Sequence, residues 1–165
     1  MSSRFIHIYC GDGKGKTAAV MGQAIRDACA GKTVFFIQYL KGEQSESEKV
    51  FYQRMEPEIK FFRFDKYPRR FENLTPEEKE EECRNFHNGL NFAKKVLVTE
   101  ECDILVLDEI LGLVESGIIS VQELREVINS CSDRTVLYLT GQYSCREIWG
   151  EVDEVTEVIT RVPEK

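Results

Sequence analysis

The sequence of 165 residues predicts an α/β fold of three layers, with helices on both faces of a mostly parallel central sheet. Strand-like segments alternate along the chain with helical segments, which is the pattern that strand–helix–strand units produce. Several strand-like segments are short and continuously apolar, as expected for parallel strands buried on both faces. We expect one domain over residues 1–165, with ligands bound outside the carboxyl ends of the strands.

Six segments are predicted strands, each for a reason of composition. In chain order they are Phe5–Tyr9, Thr33–Tyr39, Ile59–Phe64, Ile104–Leu107, Thr135–Leu139 and Val155–Thr160. The second and third are rich in β-branched and aromatic residues, which favour strands. The fourth and fifth are apolar runs bounded by polar residues, the signature of a buried strand.

The predicted helices begin at recognisable capping residues. They cover Lys16 to about Ala30, part of Lys41–Met55, a long segment from Thr75, Ser120 to about Cys131, and a short segment from Ser144. Thr75 and Glu78 have capping-box spacing, with Pro76 at the first helical position. Ser120 and Ser144 are each followed three residues later by a glutamate. We expect the acidic run from Glu77 to Glu82 to be a solvated first turn.

Composition excludes several classes of protein. The apolar share is 42% and the charged share 31%, so a folded protein is expected. A net charge of −7 argues against a broad nucleic-acid surface but leaves room for a local basic patch at a substrate site. The six cysteines form no CxxC pair, and without a signal peptide they are expected to be free thiols. His7 and His87 match no zinc motif. No apolar run is long enough to cross a bilayer, so we expect a soluble cytoplasmic protein.

The glycine-rich segment after the first strand carries the strongest functional signal. It reads Cys10-Gly-Asp-Gly-Lys-Gly-Lys-Thr17, between a predicted strand and a predicted helix. Glycines allow a tight turn that points successive N–H groups at an anion, Lys16 adds a positive charge, and Thr17 is suited to bind Mg²⁺. A full phosphate loop has glycine where Cys10 stands, and a dinucleotide fingerprint needs glycine where Lys16 stands. A phosphate-binding loop is the favoured interpretation, and a glycine-rich turn without a ligand is the alternative.

Two further segments should meet this loop at the same edge of the sheet. Asp108 and Glu109 directly follow the fourth strand, which is how phosphate-loop proteins hold Mg²⁺ or its water. They would lie beside Thr17 if the first and fourth strands are neighbours, although carboxylates also end strands for solubility. Thr140-Gly-Gln142 follows the fifth strand; it would contact nucleotide, orient a metal-bound water, or form an ordinary turn.

At this point the sequence resembles the ATP:corrinoid adenosyltransferases of the phosphate-loop type. Gly11 to Thr17 is close to that family's GNGKGKT, and Phe36 to Gly42 looks like its V-x-Q-F-x-K-G segment. The segments Leu105–Glu109 and Leu139–Gly141 are similar to its VLDE and TGR, and Arg26 falls where the family has an arginine. The matches are colinear over roughly Phe5 to Val155, and together they are highly specific. The implied fold is of the phosphate-loop NTPase type.

The resemblance implies that Co(I) of a corrinoid attacks the 5′-carbon of ATP and that triphosphate leaves, so no protein nucleophile is required. It also implies Mg²⁺, a reducing flavoprotein and a homodimer. The candidate nucleotide- and corrinoid-binding residues are Gly11, Asp12, Gly13, Lys14, Gly15, Lys16, Thr17, Ala18, Arg26, Gln38, Lys41, Phe71 and Thr140. The candidate metal ligands are Thr17, Asp108 and Glu109.

The sequence departs from the family pattern at four places. Ala18 replaces a second threonine, Gln142 replaces the arginine of TGR, and Asn73 lies near where an aromatic residue is expected. The sequence also ends at Lys165, before the Ala-Gln-x-Gly-Ile-type tail of the family. Two alternatives therefore stay open: a corrinoid chaperone or regulator that binds ATP without transfer, and a generic phosphate-loop ATPase or kinase.

Overall fold

The computed structural model describes residues 4–165 and contains six parallel strands with helices on both sides. The strands are β1 (Phe5–Cys10), β2 (Val34–Gln38), β3 (Ile59–Arg63), β4 (Ile104–Asp108), β5 (Val136–Thr140) and β6 (Glu154–Glu157). The helices are α1 (Lys16–Cys29), α2 (Glu46–Gln53), α3 (Pro76–Thr99), α4 (Ile110–Glu115) and α5 (Val121–Asn129). Short 3-10 helices cover Phe71–Asn73 and Arg146–Glu151.

The strand order is β3-β2-β4-β5-β1-β6, and every pairing is parallel. The predicted parallel sheet is confirmed. The first and fourth strands are not neighbours, because β5 lies between them. We expected Asp108 to lie beside Thr17 if β1 and β4 were neighbours, and that condition is not met. The two side chains nevertheless meet across the end of β5, with Oγ1 of Thr17 3.0 Å from Oδ1 of Asp108.

Two clusters of buried side chains hold the helices against the sheet. On one face, Val20 and Ala24 of α1 pack on β-strand residues that include Phe36 and Val106. On the other face, α3, α4 and α5 cover a larger cluster that includes Ile8 and Leu107. Because apolar residues alternate between these faces along β4, the strand is buried on both sides. The three-layer α/β fold is confirmed.

Two of the three predicted capping boxes form. Thr75 and Ser120 each accept a hydrogen bond from the backbone N–H three residues later, and the glutamate there bonds back. Ser144 does not cap a helix, so that prediction is wrong. Cys145 stands at the start of the 3-10 helix with φ 46° and makes no capping bond, while the carboxylate of Glu147 accepts a hydrogen bond from the Tyr143 hydroxyl.

Two other features differ in detail from the sequence prediction. β6 ends at Glu157, and the chain beyond it runs across the glycine-rich loop instead of continuing the strand. α4 was missed, because its six residues are too few to show helical periodicity. The six cysteines are free as predicted. Within residues 4–165 no helix has the length and apolarity needed to cross a membrane.

The free energy of unfolding is expected to decrease as the pH falls, and part of this decrease is expected to come from His7. Its side chain is buried beside Thr156 and is stacked on Tyr9 with ring centroids 4.2 Å apart. Burial lowers the pKa of His7 below its usual 6.5, and the nearby carboxylate of Glu154 opposes this only in part. The unfolded chain therefore takes up the proton first, so the contribution of His7 is complete above pH 6.5 and is lost as the pH falls through the lower folded pKa.

Urea unfolding at about pH 7.5 and about pH 5.5 tests this effect. His7→Phe keeps an aromatic ring on Tyr9 but cannot titrate, so it should lose less stability than the unaltered protein over the same interval. An equal loss in both proteins would show that other groups cause the pH dependence.

Candidate functional site

The glycine-rich loop joins β1 to α1 and leaves the first turn of that helix open. Gly15 precedes α1 with φ 106°, a left-handed conformation that glycine adopts without strain, and no side chain caps the helix. The first N–H groups of a helix have no partner within the helix, and the helix dipole favours negative charge there. The geometry therefore suits an anion at the start of α1, as in other phosphate-binding helices.

The loop is also held from behind by the segment after β6. The N–H of Gly13 donates to the carbonyl of Val158 at 2.9 Å, and the N–H of Lys14 donates to Oγ1 of Thr160 at 2.7 Å. A Cβ at either Gly11 or Gly13 would lie 2.5 Å from the carbonyl oxygen of Val158. These two glycines are therefore required by backbone packing, a reason that the sequence did not reveal.

Gly13→Ala is expected to weaken binding of triphosphate by about tenfold or more, because the new methyl group must displace the Val158–Thr160 segment or the loop itself. Calorimetric titration with inorganic triphosphate measures the change. Gly22→Ala is the matched control. Gly22 lies within α1, and a Cβ added to it would have no atom within 4 Å. The control should bind normally and gain about 0.5–1 kcal/mol of stability. Normal triphosphate binding by Gly13→Ala would contradict the packing argument.

Asp108 is the centre of the polar cluster beside the loop. It is fully buried at the end of β4 and accepts hydrogen bonds from the hydroxyls of Thr17 (3.0 Å to Oδ1) and Thr140 (2.7 Å to Oδ1). Thr140 in turn accepts the N–H of Glu109 at 2.9 Å. Thr140 therefore has a defined role in the structure: it bridges β5 and the end of β4 and fixes the carboxylate that faces Thr17.

Glu109 and Lys16 lie at the border between this cluster and solvent. Glu109 has φ 69°, which is uncommon for a residue other than glycine and often marks a functional site. Burial raises the pKa of its carboxyl group, opposed by the positive charge of Lys41. Nζ of Lys16 donates to the carbonyl of Gly13 at 2.6 Å, so its ammonium lies against the loop.

The oxygen atoms around Thr17 fit a magnesium ion. Mg²⁺ prefers hard oxygen ligands and usually takes only one or two from protein, the rest from phosphate and water. Oγ1 of Thr17 lies 3.0 Å and 3.3 Å from the two oxygens of Asp108, and Glu109 is adjacent in sequence. Among residues 4–165 no group of three or more His, Cys, Asp or Glu is arranged for a metal. A Mg²⁺ ion held by Thr17 and these carboxylates would take its remaining ligands from phosphate and water.

Lys41 joins this cluster from the turn after β2. Its Nζ lies 2.7 Å from Oδ2 of Asp108 and 3.1 Å from Oγ1 of Thr17. The backbone N–H groups of Lys41 and Gly42 both donate to Oδ2 of Asp65, at 3.0 Å and 2.7 Å. Arg63 donates to both oxygens of Asp65, which fixes that carboxylate in turn. A network of backbone and side-chain bonds therefore aims Lys41 at the loop.

A cavity of about 800 Å³ opens next to the polar cluster at the carboxyl edge of the sheet. Lys41 and Glu109 belong both to its lining and to the surroundings of Asp108, so the two sites are continuous. Phe71 and Phe86 supply an apolar wall, with ring centroids 6.2 Å apart. A cavity of this volume is large enough for a substantial organic ligand.

The acidic run at the start of α3 holds one wall of this cavity. Glu82 is 2% exposed and accepts the backbone N–H groups of Lys66 and Tyr67. Glu81 bonds the side chains of the same two residues. The prediction of a solvated first turn is therefore wrong at Glu82. A buried carboxylate needs hydrogen-bond donors, and the loop that leads to Phe71 supplies them.

The structure brings most of the predicted site residues together, but not all. Gln38 is buried at the end of β2, in register with Asp108. Asp12 and Ala18 are exposed on the loop and on the first turn of α1. Arg26 is exposed in α1, and at a rise of about 1.5 Å per residue it lies roughly 15 Å along the axis from Lys16. Direct contact between Arg26 and a ligand in the loop is not supported.

Sequence reasoning missed three parts of the site. Asp65 follows β3, so the rule that ligands gather at the carboxyl ends of strands could have identified it. Glu82 was hidden within a run of acidic residues that looked solvated. The Val158–Thr160 segment had no signal of its own, because its contacts are made through backbone atoms and one hydroxyl.

The fold and the site have the arrangement of the phosphate-loop class of α/β proteins. A loop between a strand and a helix, followed by a lysine and a threonine that meets an aspartate from another strand, is the arrangement by which that class is recognised. The family model of the ATP:corrinoid adenosyltransferases (BtuR/CobO/CobP) matches residues 2–162. The chain belongs to this family.

Individual relatives agree with the family assignment. The chain is 27% identical over 153 residues to the corrinoid adenosyltransferase of Escherichia coli (strain K12), covering 93% of the chain and 75% of the relative. It is 27% identical over 154 residues to the corrinoid adenosyltransferase CobA of Salmonella typhimurium, with the same coverage. A KaiC-like protein from Pyrococcus horikoshii OT3 has a similar fold, with a TM-score of 0.54 and 16% identity over 86% of this chain and 62% of the other.

Proposed function

We propose that this protein transfers the 5′-deoxyadenosyl group of ATP to the Co(I) of a corrinoid and releases triphosphate. The observation that carries the proposal is the continuity of the two sites. A cavity of about 800 Å³ adjoins a phosphate-type loop, and Lys41 and Glu109 lie at their junction. An enzyme that joins a large ring system to the 5′-carbon of a nucleotide needs this adjacency, whereas simple nucleotide hydrolysis does not.

In the proposed reaction Co(I) supplies the electron pair, a cobalt–carbon bond forms at the 5′-carbon, and the bond from that carbon to the triphosphate oxygen breaks. Negative charge develops on the leaving triphosphate. The open N–H groups at the start of α1 and the ammonium of Lys16 would stabilise that charge. Thr17, with Asp108 and Glu109, would hold Mg²⁺, which supplies further neutralisation of the triphosphate.

The cavity would position the corrinoid. Phe71 and Phe86 offer an apolar surface for the ring, and Glu82 holds the loop that precedes Phe71 through the N–H groups of Lys66 and Tyr67. By resemblance to the family, Gln38, Lys41 and Gly42 approach nucleotide and corrin. We further propose that the chain forms a single domain, that two copies form a homodimer, and that a flavoprotein reduces the cobalt in the cytoplasm. Light scattering of the purified protein tests whether it is a dimer.

The proposal is tested by mixing the protein anaerobically with ATP, Mg²⁺ and chemically reduced cob(I)alamin or its incomplete precursors. Conversion to an adenosylated corrinoid changes the visible absorption spectrum. No conversion with any of these corrinoids would overturn the proposal.

A second function is favoured by one observation. Gln142 lines the cavity at the position where the family pattern has an arginine. The alternative is a protein that binds ATP and corrinoid as a chaperone or regulator and transfers nothing. Calorimetric binding of both ligands without any product would support this alternative, and turnover would exclude it. Release of ADP would instead indicate an ATPase or kinase.

A further inference from the structure

The ammonium of Lys41 occupies the position that a metal bound by Thr17 and Asp108 would need. Its Nζ is 2.7 Å from Oδ2 of Asp108 and 3.1 Å from the hydroxyl oxygen of Thr17. The carboxylate is fully buried, and the lysine side chain is 23% exposed. A buried carboxylate is stable only with a cation or several donors beside it, and Lys41 is that cation here.

The contact is built into the chain on both sides of the lysine. Asp65 accepts the backbone N–H groups of Lys41 and Gly42, and Arg63 holds Asp65. Leu40 has φ 53°, an unfavourable conformation for a branched apolar residue. Such a conformation persists only where the surrounding structure enforces it, and it is found at switching and binding sites.

Two cations cannot share these oxygens without strong repulsion. Like charges a few ångströms apart in a partly buried site repel strongly, since little water screens them. Other charged groups near the cluster are of both signs, and they include Glu109, Lys16 and Glu115. A divalent ion that binds Thr17 and Asp108 must therefore displace the ammonium of Lys41.

We propose that Lys41 is the resident counter-ion of Asp108 and that it excludes a divalent metal until triphosphate brings its own negative charge. Lys41 then acts as a positioning residue that makes metal binding depend on the nucleotide. The inference rests on the proposed function for its triphosphate ligand.

The same displacement would reach the cavity. Leu40, Lys41 and Gly42 all line it, so release of the Lys41 side chain frees a turn that forms part of its wall. A ligand that favours one arrangement of this turn changes the affinity of the cavity for its own ligand. By thermodynamic linkage, the ligand in the cavity changes the affinity for the first ligand by the same factor. Metal with nucleotide would thus prepare the cavity for its second substrate.

The test is a titration of the protein with Mn²⁺ alone, without ATP or corrinoid. The concentration of free Mn²⁺ at each step is measured by electron paramagnetic resonance. Lys41→Met should bind Mn²⁺ about tenfold or more tightly than the unaltered protein, because the buried carboxylate has lost its cation. Mg²⁺ alone should raise the melting temperature of Lys41→Met and leave that of the unaltered protein unchanged. Lys41→Arg, which keeps the charge, should retain weak Mn²⁺ binding.

Two controls make the result specific. Lys66→Met removes the same charge from an exposed lysine paired with Glu81, so its Mn²⁺ affinity should not change. Adding the isosteric change Thr17→Val to Lys41→Met should reduce the gained affinity. If circular dichroism shows that Lys41→Met does not fold, Lys41→Gln replaces it, since its amide can still donate to Asp108.

Folded Lys41→Met or Lys41→Gln that binds Mn²⁺ no better than the unaltered protein would overturn the inference. The metal titration involves no transfer chemistry. If the unaltered protein transfers no adenosyl group but the Lys41 variants gain Mn²⁺ affinity, only the proposed function is overturned. If the unaltered protein transfers the group but the Lys41 variants gain no Mn²⁺ affinity, only the role of Lys41 is overturned.

Discussion

Replacement of Lys16 by alanine is expected to reduce adenosyl transfer by roughly 1,000-fold, the largest effect on activity that we predict. The ammonium of Lys16 lies against the loop, 2.6 Å from the carbonyl of Gly13, at the open start of α1. Charge on a leaving triphosphate increases as the cobalt–carbon bond forms. A fixed positive charge there stabilises the transition state more than the bound substrate, so its removal lowers kcat as well as kcat/KM.

The measurement is the rate of adenosylcobalamin formation with chemically reduced cobalamin, so that no reductase partner limits it. Lys32→Ala is the matched control, because Lys32 is an exposed lysine in the turn after α1 and outside the site. The control should retain the activity of the unaltered protein. A Lys16→Ala protein with unchanged kcat would mean that this lysine does not stabilise the leaving group.

Replacement of Asp108 by alanine is expected to have the largest effect on stability, a loss of about 3–5 kcal/mol. The carboxylate is 0% exposed and binds the hydroxyls of Thr17 and Thr140 and the ammonium of Lys41. Its removal leaves these donors partly buried without an acceptor. Because the same contacts position Thr17, we also expect transfer activity to decrease, although by less than in Lys16→Ala.

Urea unfolding monitored by circular dichroism measures this change in the free energy of unfolding. Asp133→Ala is the control, since Asp133 is exposed in the turn before β5. An exposed position of this kind should change stability by no more than about 0.5 kcal/mol. If Asp108→Ala were as stable as the control, the buried cluster would not contribute to folding.

The features predicted correctly from the sequence are those decided by local chemistry. The cap at Thr75 depends on residues three positions away, and the glycine-rich loop is contiguous. The alternation of strands and helices is also a local pattern, and it led to the three-layer fold. Such signals do not require knowledge of which distant segments meet.

The features that were missed depend on contacts between distant segments. Local spacing predicted a cap at Ser144, but the chain enters the 3-10 helix through the left-handed Cys145 instead. Glu82 is buried because a loop 15 residues earlier folds over it. The strand order that inserts β5 between β1 and β4 is a property of the sheet as a whole.

The site shows the same division. Lys16, Thr17, Asp108 and Glu109 were identified from motifs, and the structure places Thr17 against Asp108. The cation beside Asp108 is Lys41, from a third segment, and Asp65 aims it from a fourth. No single motif contains that network, because its members come from the ends of different strands.

The most direct test of the account is the identity of the phosphorus product. The protein is incubated anaerobically with ATP, Mg²⁺ and reduced corrinoid, and the products are resolved by ³¹P nuclear magnetic resonance. Transfer to cobalt breaks the bond between the 5′-carbon and the triphosphate, so we expect intact triphosphate in amounts equal to the adenosylated corrinoid. Release of ADP and phosphate, with no triphosphate and no adenosylated corrinoid, would contradict the account.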